Sequence, residues 1–255
     1  MSMSQADKLF GFASMQMLKG DYAGAVTNYE RILKFLPLHS PMRVDVLAQL
    51  GAAYAMLQDY PKSYAVLTQA LDLAPDDADL WYNRGLAARF TMRFGRSFKD
   101  FKRAVELNKT PEMSRRFEKE LKFSRKMAEK SIKLRGRNFT LDQLIEQEDL
   151  FQRGLALMEK GQWSEAEQAF RASIALGACL PQPWGNVGMC LIMQERYDEA
   201  EAALKRALAI DPKYTVAKNN LALLPETRRN GPPKIFAIQD PIAGKVKQSI
   251  TFIKE

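Results

Sequence analysis

Apolar residues recur three or four positions apart in successive stretches of this chain, and short polar turns separate the stretches. Such spacing places the apolar side chains on one face of an α-helix, so the pattern predicts a succession of amphipathic helices. The pattern also repeats itself. Gly51 recurs 34 residues later as Gly85, and Gly154 recurs at the same interval as Gly188. A period of this length is typical of a two-helix repeat stacked into a solenoid.

The repeats and the breaks between them predict four segments. Three repeats are expected in residues 1–109, and two repeats followed by a capping helix in residues 147–224. Residues 110–146 lie between these arrays, and residues 225–255 form a tail with helix-breaking prolines and glycines. Two apolar stretches within residues 234–253 are expected to dock in the protein's own groove, to mediate self-association, or to pack on the capping helix.

The segment between the arrays is expected to contain a long helix. Thr110-Pro111-Glu112 predicts its start, because Pro suits the first helical turn and an acid suits the positive end of the helix dipole. The helix is expected to end near Leu134, and the Thr140–Gln143 capping box predicts the start of the next helix. Two interpretations remain: a decayed repeat fills this span, or the helix divides the array. The second is favoured because no glycine-containing turn interrupts 111–134.

The repeats resemble the tetratricopeptide repeat family over residues 6–109 and 147–212. The residues that carry the resemblance are Trp81, Gly85, Phe101 and Ala104 in the third repeat and Trp184, Gly188, Tyr197, Ala200, Ala207 and Pro212 in the fifth. Ala13, Ala88 and Lys109 depart from the family pattern. The resemblance implies an all-α solenoid of five repeats plus a capping helix, wound as a right-handed superhelix.

The first helix of each repeat lines a concave surface in this family, so the resemblance implies a partner-binding groove. The side chains implied to face it are Phe10, Ser14, Met17, Gln49, Tyr82, Asn83, Arg89, Phe151, Met158, Asn186, Met189 and Asn220. The family's clamp for a terminal carboxylate is not reproduced, because Phe10, Ser14 and Gln49 occupy its positions. The groove is expected to bind an apolar or amphipathic peptide or helix of a partner protein, unless these side chains form internal packing.

Charge is concentrated in the middle of the chain. Residues 84–137 carry 18 Lys and Arg against 6 Asp and Glu, whereas the remainder carries 20 against 24. Seven of these cations recur at helical spacing and predict one basic stripe: Arg115, Lys119, Lys122, Lys126, Lys130, Lys133 and Arg137. The stripe is interpreted as a solvated face or as a binding surface for nucleic acid or another anionic surface. No aromatic residue interleaves with it to stack on bases, which argues against sequence-specific RNA recognition.

Motifs typical of catalysis or cofactor binding are absent from the sequence. His39 is the single histidine, the two cysteines lack histidine support for a zinc site, and no glycine-rich phosphate-binding loop occurs. No apolar run has the length of a membrane-spanning helix. The sequence therefore predicts a cytoplasmic adaptor or co-chaperone-like scaffold, without enzymatic activity or cofactor, that binds a protein partner. Nucleic-acid binding through the stripe is the alternative function.

Overall fold

The computed structural model describes residues 3–232, and twelve α-helices account for nearly all of them. Their bounds are α1 Met3–Lys19, α2 Tyr22–Phe35, α3 Met42–Met56, α4 Tyr60–Leu73, α5 Ala78–Phe90, α6 Phe94–Leu107, α7 Pro111–Arg135, α8 Leu141–Glu159, α9 Trp163–Leu176, α10 Pro181–Met193, α11 Tyr197–Ile210 and α12 Thr215–Asn230. The predicted all-helical fold is confirmed for the described residues.

The helices pair as repeats within two compact units of the chain, which divide between Ala128 and Glu129, inside α7. In the first unit the pairs are α1–α2, α3–α4 and α5–α6, and the second helix of one pair packs on the first helix of the next. In the second unit α8–α9 and α10–α11 pack in the same way, and α12 packs on α10 and α11. The predicted five repeats and capping helix are therefore present.

In four of the five repeats the recurring glycine lies where the two helices of the repeat are in close contact. A Cβ atom on Gly154 would lie 2.5 Å from Cε1 of Phe170, and one on Gly51 would lie 2.6 Å from Cγ of Leu67. Both distances are shorter than van der Waals contact, so a larger residue would push the helices apart. Ser63 strengthens one approach, because its buried hydroxyl donates to the carbonyl oxygen of Gly51 at 2.8 Å.

The same type of backbone turn joins the first helix to the second helix in all five repeats. A residue with a positive φ ends the first helix, and the next N–H donates to the carbonyl five residues before it, at 2.8–2.9 Å. This is the geometry of a Schellman-type helix end. The positive-φ residues are Gly20, Gln58, Met92, Gly161 and Glu195.

The capping helix is longer than predicted. α12 passes through Pro225 and ends at Asn230, whereas the sequence pattern placed the end of the helix at Leu224. Proline removes one main-chain hydrogen bond from a helix. Here the following turn is held by buried Thr227 and by Arg228, which forms ion pairs with Asp198 at 2.7 Å and Glu201 at 3.2 Å. The expectation for the apolar stretches within 234–253 lies outside the described residues.

The long helix α7 begins at Pro111 and ends at Arg135, within a residue of the predicted bounds. Its first half packs on the third repeat, because the Phe117 ring stacks on Tyr82 with centroids 4.5 Å apart. The predicted capping box at Thr140 is confirmed by both of its hydrogen bonds with Gln143.

A buried ion pair replaces an apolar contact in the third repeat. Arg84 donates two hydrogen bonds to Asp100, at 2.8 and 2.7 Å, and both side chains are buried. Its guanidinium carbon also lies 4.6 Å from the centroid of Trp81. The equivalent positions of the fifth repeat hold Val187 and Ala203, which both belong to the apolar core.

Candidate functional site

The predicted groove residues of the first two repeats lie in the first compact unit and are partly open. Phe10, Ser14 and Met17 are half-buried, and Gln49 is exposed. Ser14 is within hydrogen-bond distance of Tyr29, with 3.2 Å between the two hydroxyl oxygens, and the Phe10 ring also contacts Tyr29. These α1 side chains therefore contribute to packing inside the first repeat as well as to its surface.

Helix α7 packs on two of the predicted groove residues of the third repeat, Tyr82 and Arg89. Tyr82 is buried between Phe101 and Phe117, and its hydroxyl accepts a hydrogen bond of 2.8 Å from Arg116. Arg89 forms an ion pair with Glu120 of α7 at 2.8 Å. Asn83 is half-buried. The third repeat therefore does not present Tyr82 to a partner, which corrects the expectation for this residue.

In the second compact unit, two of the predicted groove residues are core residues. Phe151 and Met158 are buried, and Phe151 meets Phe170 edge to face with centroids 5.4 Å apart. Met189 is half-buried against the same core. The burial of Phe151 and Met158 corrects their placement on the groove, because the large side chains of α8 fill the space between α8 and α9.

Asn186 and Asn220 remain as polar side chains that lack partners. They are only 6% and 3% exposed, and neither amide nitrogen has a hydrogen-bond partner among the residues that the structure describes. The two asparagines lie exactly one 34-residue period apart, on the first helix of the fifth repeat and on the capping helix. They therefore project from the same face of α10 and α12.

Two further unpaired polar atoms lie on α10, and the sequence analysis did not select them for this property. Gln182 Oε1 and the indole N–H of Trp184 are buried without a partner in the described part of the chain. Buried polar atoms are nearly always hydrogen-bonded in proteins, so a group of them on two adjacent helices is unusual. The sequence could have shown only their position in the repeat, because the absence of a partner is a property of the packing.

The aromatic ring of Tyr214 borders the same region. A Cβ atom on Gly185 would lie 2.7 Å from this ring, so the tyrosine packs directly on the α10 backbone beside Asn186. Met189 lies one helical turn from Asn186 on the same face of α10, so Met189 and Tyr214 place half-buried apolar surface beside this asparagine. The arrangement combines unpaired hydrogen-bond donors with aromatic and thioether surface.

The basic stripe is exposed along its whole length. None of its members forms an ion pair with another described residue. Arg115 and Lys133 are 18 residues apart, or five helical turns, so the row runs along the axis of α7 for about 27 Å. The seventh member, Arg137, lies beyond the end of this helix.

Other chemistry is sparse in the described part of the chain. Residues 3–232 contain no cluster of three side chains suited to hold a metal ion. Within the same range, no helix combines the length and apolar character needed to cross a bilayer. Burial raises the pKa of the Cys190 thiol to about 12, so this cysteine is protonated at neutral pH.

The stacked helix pairs define a helical repeat protein. The family model for the tetratricopeptide repeat matches residues 49–110 and 151–215. The chain belongs to the tetratricopeptide repeat family.

Known proteins match only parts of the chain. The peroxisomal targeting signal receptor of Yarrowia lipolytica is 35% identical over 83 residues, which are 32% of this chain and 14% of the receptor. The auxilin-like clathrin uncoating factor SWA2 of Saccharomyces cerevisiae is 34% identical over 65 residues, or 26% of this chain and 10% of that protein. The chain thus spans a small part of these relatives.

Among solved structures, the TPR domain of P58(IPK) is 12% identical with a TM-score of 0.46, over 88% of this chain and 66% of that one. The TPR2AB domain of yeast Sti1, in a complex with pHSP90, is 18% identical with a TM-score of 0.40, over 89% and 85% of the chains. Nothing about ligands follows from likenesses at these TM-scores.

Proposed function

We propose that this chain is a protein-interaction scaffold that binds an extended segment of a partner protein across α10 and α12. The unpaired amide nitrogens of Asn186 and Asn220 carry this proposal. Burying a polar group without a partner costs about 1–3 kcal/mol, and a ligand that supplies an acceptor recovers part of that cost when the amide turns outward to meet it. A peptide carbonyl oxygen is such an acceptor, and it is available at every residue of an extended segment.

The spacing of the two asparagines fits an extended peptide. Packed helices lie about 8–10 Å apart, and an extended chain advances about 3.3–3.6 Å per residue. Asn186 and Asn220 would therefore pair with carbonyl oxygens roughly three residues apart along the ligand. The apolar surface of Met189 and Tyr214 beside Asn186 favours apolar side chains in the neighbouring positions of the ligand.

The family assignment supports a protein-binding role in general terms, since tetratricopeptide solenoids present extended binding surfaces. One partial relative is named as a receptor for a peroxisomal targeting signal. That name agrees with recognition of a protein segment by this family.

Peptides selected from a random display library on the immobilised chain provide the test, with affinity then measured by fluorescence anisotropy. We expect Asn186→Ala and Asn220→Ala each to weaken binding about three- to tenfold, the effect of one lost hydrogen bond. Asn219→Ala is the matched control, because Asn219 adjoins Asn220 and is exposed. Asn83→Ala tests the half-buried equivalent in the third repeat and is expected to have a smaller effect.

Thermal stability separates binding from structure. Because both amide nitrogens lack partners in the free chain, we expect Asn186→Ala and Asn220→Ala to leave Tm unchanged or to raise it. Unchanged peptide affinity in a variant that carries both Asn186→Ala and Asn220→Ala would refute the proposal. A lower Tm together with lost binding would show instead that the asparagines have a structural role.

The basic stripe supports a second candidate function, the binding of nucleic acid or another anionic surface. Six exposed cations without ion-pair partners follow one line on α7, so several can approach phosphates together. Binding to a DNA duplex should then weaken steeply with salt, with a log–log slope of about −0.9 per phosphate contact. Lys122→Glu with Lys126→Glu should reduce both affinity and slope, whereas Lys99→Glu on α6 should not. Salt-independent or absent binding would exclude this function.

A further inference from the structure

Helix α1 has an apolar face that no other element among residues 3–232 covers. Phe12 and Met15 are 54% and 53% exposed, although both are large apolar side chains. Together with Leu9 they form a row at three-residue spacing along α1 that spans about 120° of the helix, a ridge suited to helix packing. A cleft of about 470 Å³ between α1 and α2 adjoins the row, and Phe35 lines its far side. We name this row with Phe35 the α1 face.

Equivalent positions in other repeats show what normally covers this face. In α3, α5 and α10 the second helix of the preceding repeat packs on the first helix. The equivalents of Phe12 in α3, α5 and α10 are Leu50, Arg84 and Val187, and all three are buried. The equivalents of Met15 in α3, α5 and α10 are Ala53, Ala87 and Cys190, which are buried as well. The interface that continues the repeat pattern on α1 is therefore helix against helix.

Helix α8 provides the contrast. Its residues at the equivalent positions are Arg153 and Ala156, and they are exposed like Phe12 and Met15. The sequence thus places a charged and a small residue where α8 faces solvent. Large apolar side chains at the same positions of α1 are typical of a surface that is covered in the working protein.

We propose that the α1 face is a dimer interface, on which α1 of a second copy of this chain packs antiparallel. With Phe12 against Phe12, Leu9 of each copy lies against Met15 of the other. Lys8 then lies opposite Gln16, which donates a hydrogen bond of 2.6 Å to Asp21. This pairing brings Lys8 of one copy close to the Asp21 carboxylate of the other, and it places no two like charges directly opposite each other.

The surface of the capping helix α12 disfavours a head-to-tail arrangement, in which α12 of one copy would pack on the α1 face of the next. Lys218 and Asn219 on α12 are exposed, and no large apolar side chain is exposed between residues 141 and 232. The α1 face thus has no complementary apolar surface in that part of the chain. A two-fold pairing of identical faces closes after two copies and leaves no α1 face open.

Sedimentation velocity of the full chain, from low to high micromolar concentration, tests the proposal. We expect a dimer for the wild type. Phe12→Glu and Met15→Glu should each weaken dimerisation by at least about tenfold, because both copies lose an apolar contact and acquire a buried charge. Met56→Glu is the control: Met56 is 54% exposed on α3 and lies outside the α1 face. Circular dichroism shows whether each variant keeps its helices, and Met15→Glu decides the result if Phe12→Glu does not fold.

Cross-linking tests the register. In a background of Cys179→Ser and Cys190→Ala, a short bismaleimide should join two chains through Phe12→Cys but not through Met56→Cys. A wild type that stays monomeric at every concentration would overturn the proposal. So would a dimer that persists unchanged in both glutamate variants, since its interface would then lie elsewhere.

Discussion

Removal of Asp100 offers the sharpest test of what stabilises the third repeat. Asp100 is completely buried, and its two carboxylate oxygens accept the hydrogen bonds of Arg84. Asp100→Ala leaves a buried guanidinium without its counter-charge. Breaking such a pair costs about 3–5 kcal/mol, in line with two charge-assisted hydrogen bonds of about 1.5–3 kcal/mol each.

A double variant tests the physical reason for this loss. Arg84→Leu with Asp100→Ala removes both charges and gives the third repeat an apolar pair like Val187 and Ala203 of the fifth. Replacing a buried ion pair by apolar residues is often neutral or stabilising. We therefore expect the double variant to lie within about 1 kcal/mol of the wild type, although it contains the destabilising single change.

Urea unfolding followed by circular dichroism measures these differences. Asp76→Ala is the control, because Asp76 is 84% exposed and pairs with Arg103 at 3.3 Å. An exposed pair contributes about 0–1 kcal/mol, so this change should have little effect. A loss below about 1 kcal/mol in Asp100→Ala would refute the reasoning, and so would a double variant as unstable as the single one.

Two further predictions concern packing and cysteine chemistry. Gly154→Ala should destabilise the chain by about 1–3 kcal/mol, because its Cβ would lie 2.5 Å from Phe170. Gly11→Ala, at an open position of α1, should stabilise the chain by about 1 kcal/mol. Thermal melts should show a lower Tm for the first variant and a higher Tm for the second, and a shift of both in the same direction would contradict the packing argument. Iodoacetamide at pH 8 should label Cys179 but not buried Cys190, whose pKa is about 12, as mass spectrometry can check; rapid labelling of Cys190 in the folded chain would contradict its burial.

The sequence predicted most of the helical architecture because its signals are local and repeated. The 34-residue period, the Thr140 capping box and the α7 start at Pro111 each depend on a few neighbouring residues. The continuation of α12 through Pro225 was not predictable in this way. It depends on contacts that Thr227 and Arg228 make with other parts of the fold.

The candidate site was predicted less completely, because side-chain burial depends on which helix packs next. Tyr82 shares its position in the repeat with residues that line grooves in the family, but the Phe117 ring of α7 covers it. Asn186 and Asn220 were selected from their repeat position, yet only the packed structure shows that their amide nitrogens lack partners. Arg84 shares its position in the repeat with buried Leu50 and Val187 but also with exposed Arg153, so the sequence alone did not indicate its buried counter-charge.

The turn between the two helices of each repeat has a practical consequence for experiments that observe unfolding in solution. It is stabilised by main-chain atoms, and in three of the five repeats the side chain at its positive-φ position, Gln58, Met92 or Glu195, is exposed. A fluorophore attached there would leave the packing of the helices intact. The fold thus supplies one equivalent attachment point in each of these repeats, from which the order in which the repeats unfold can be observed.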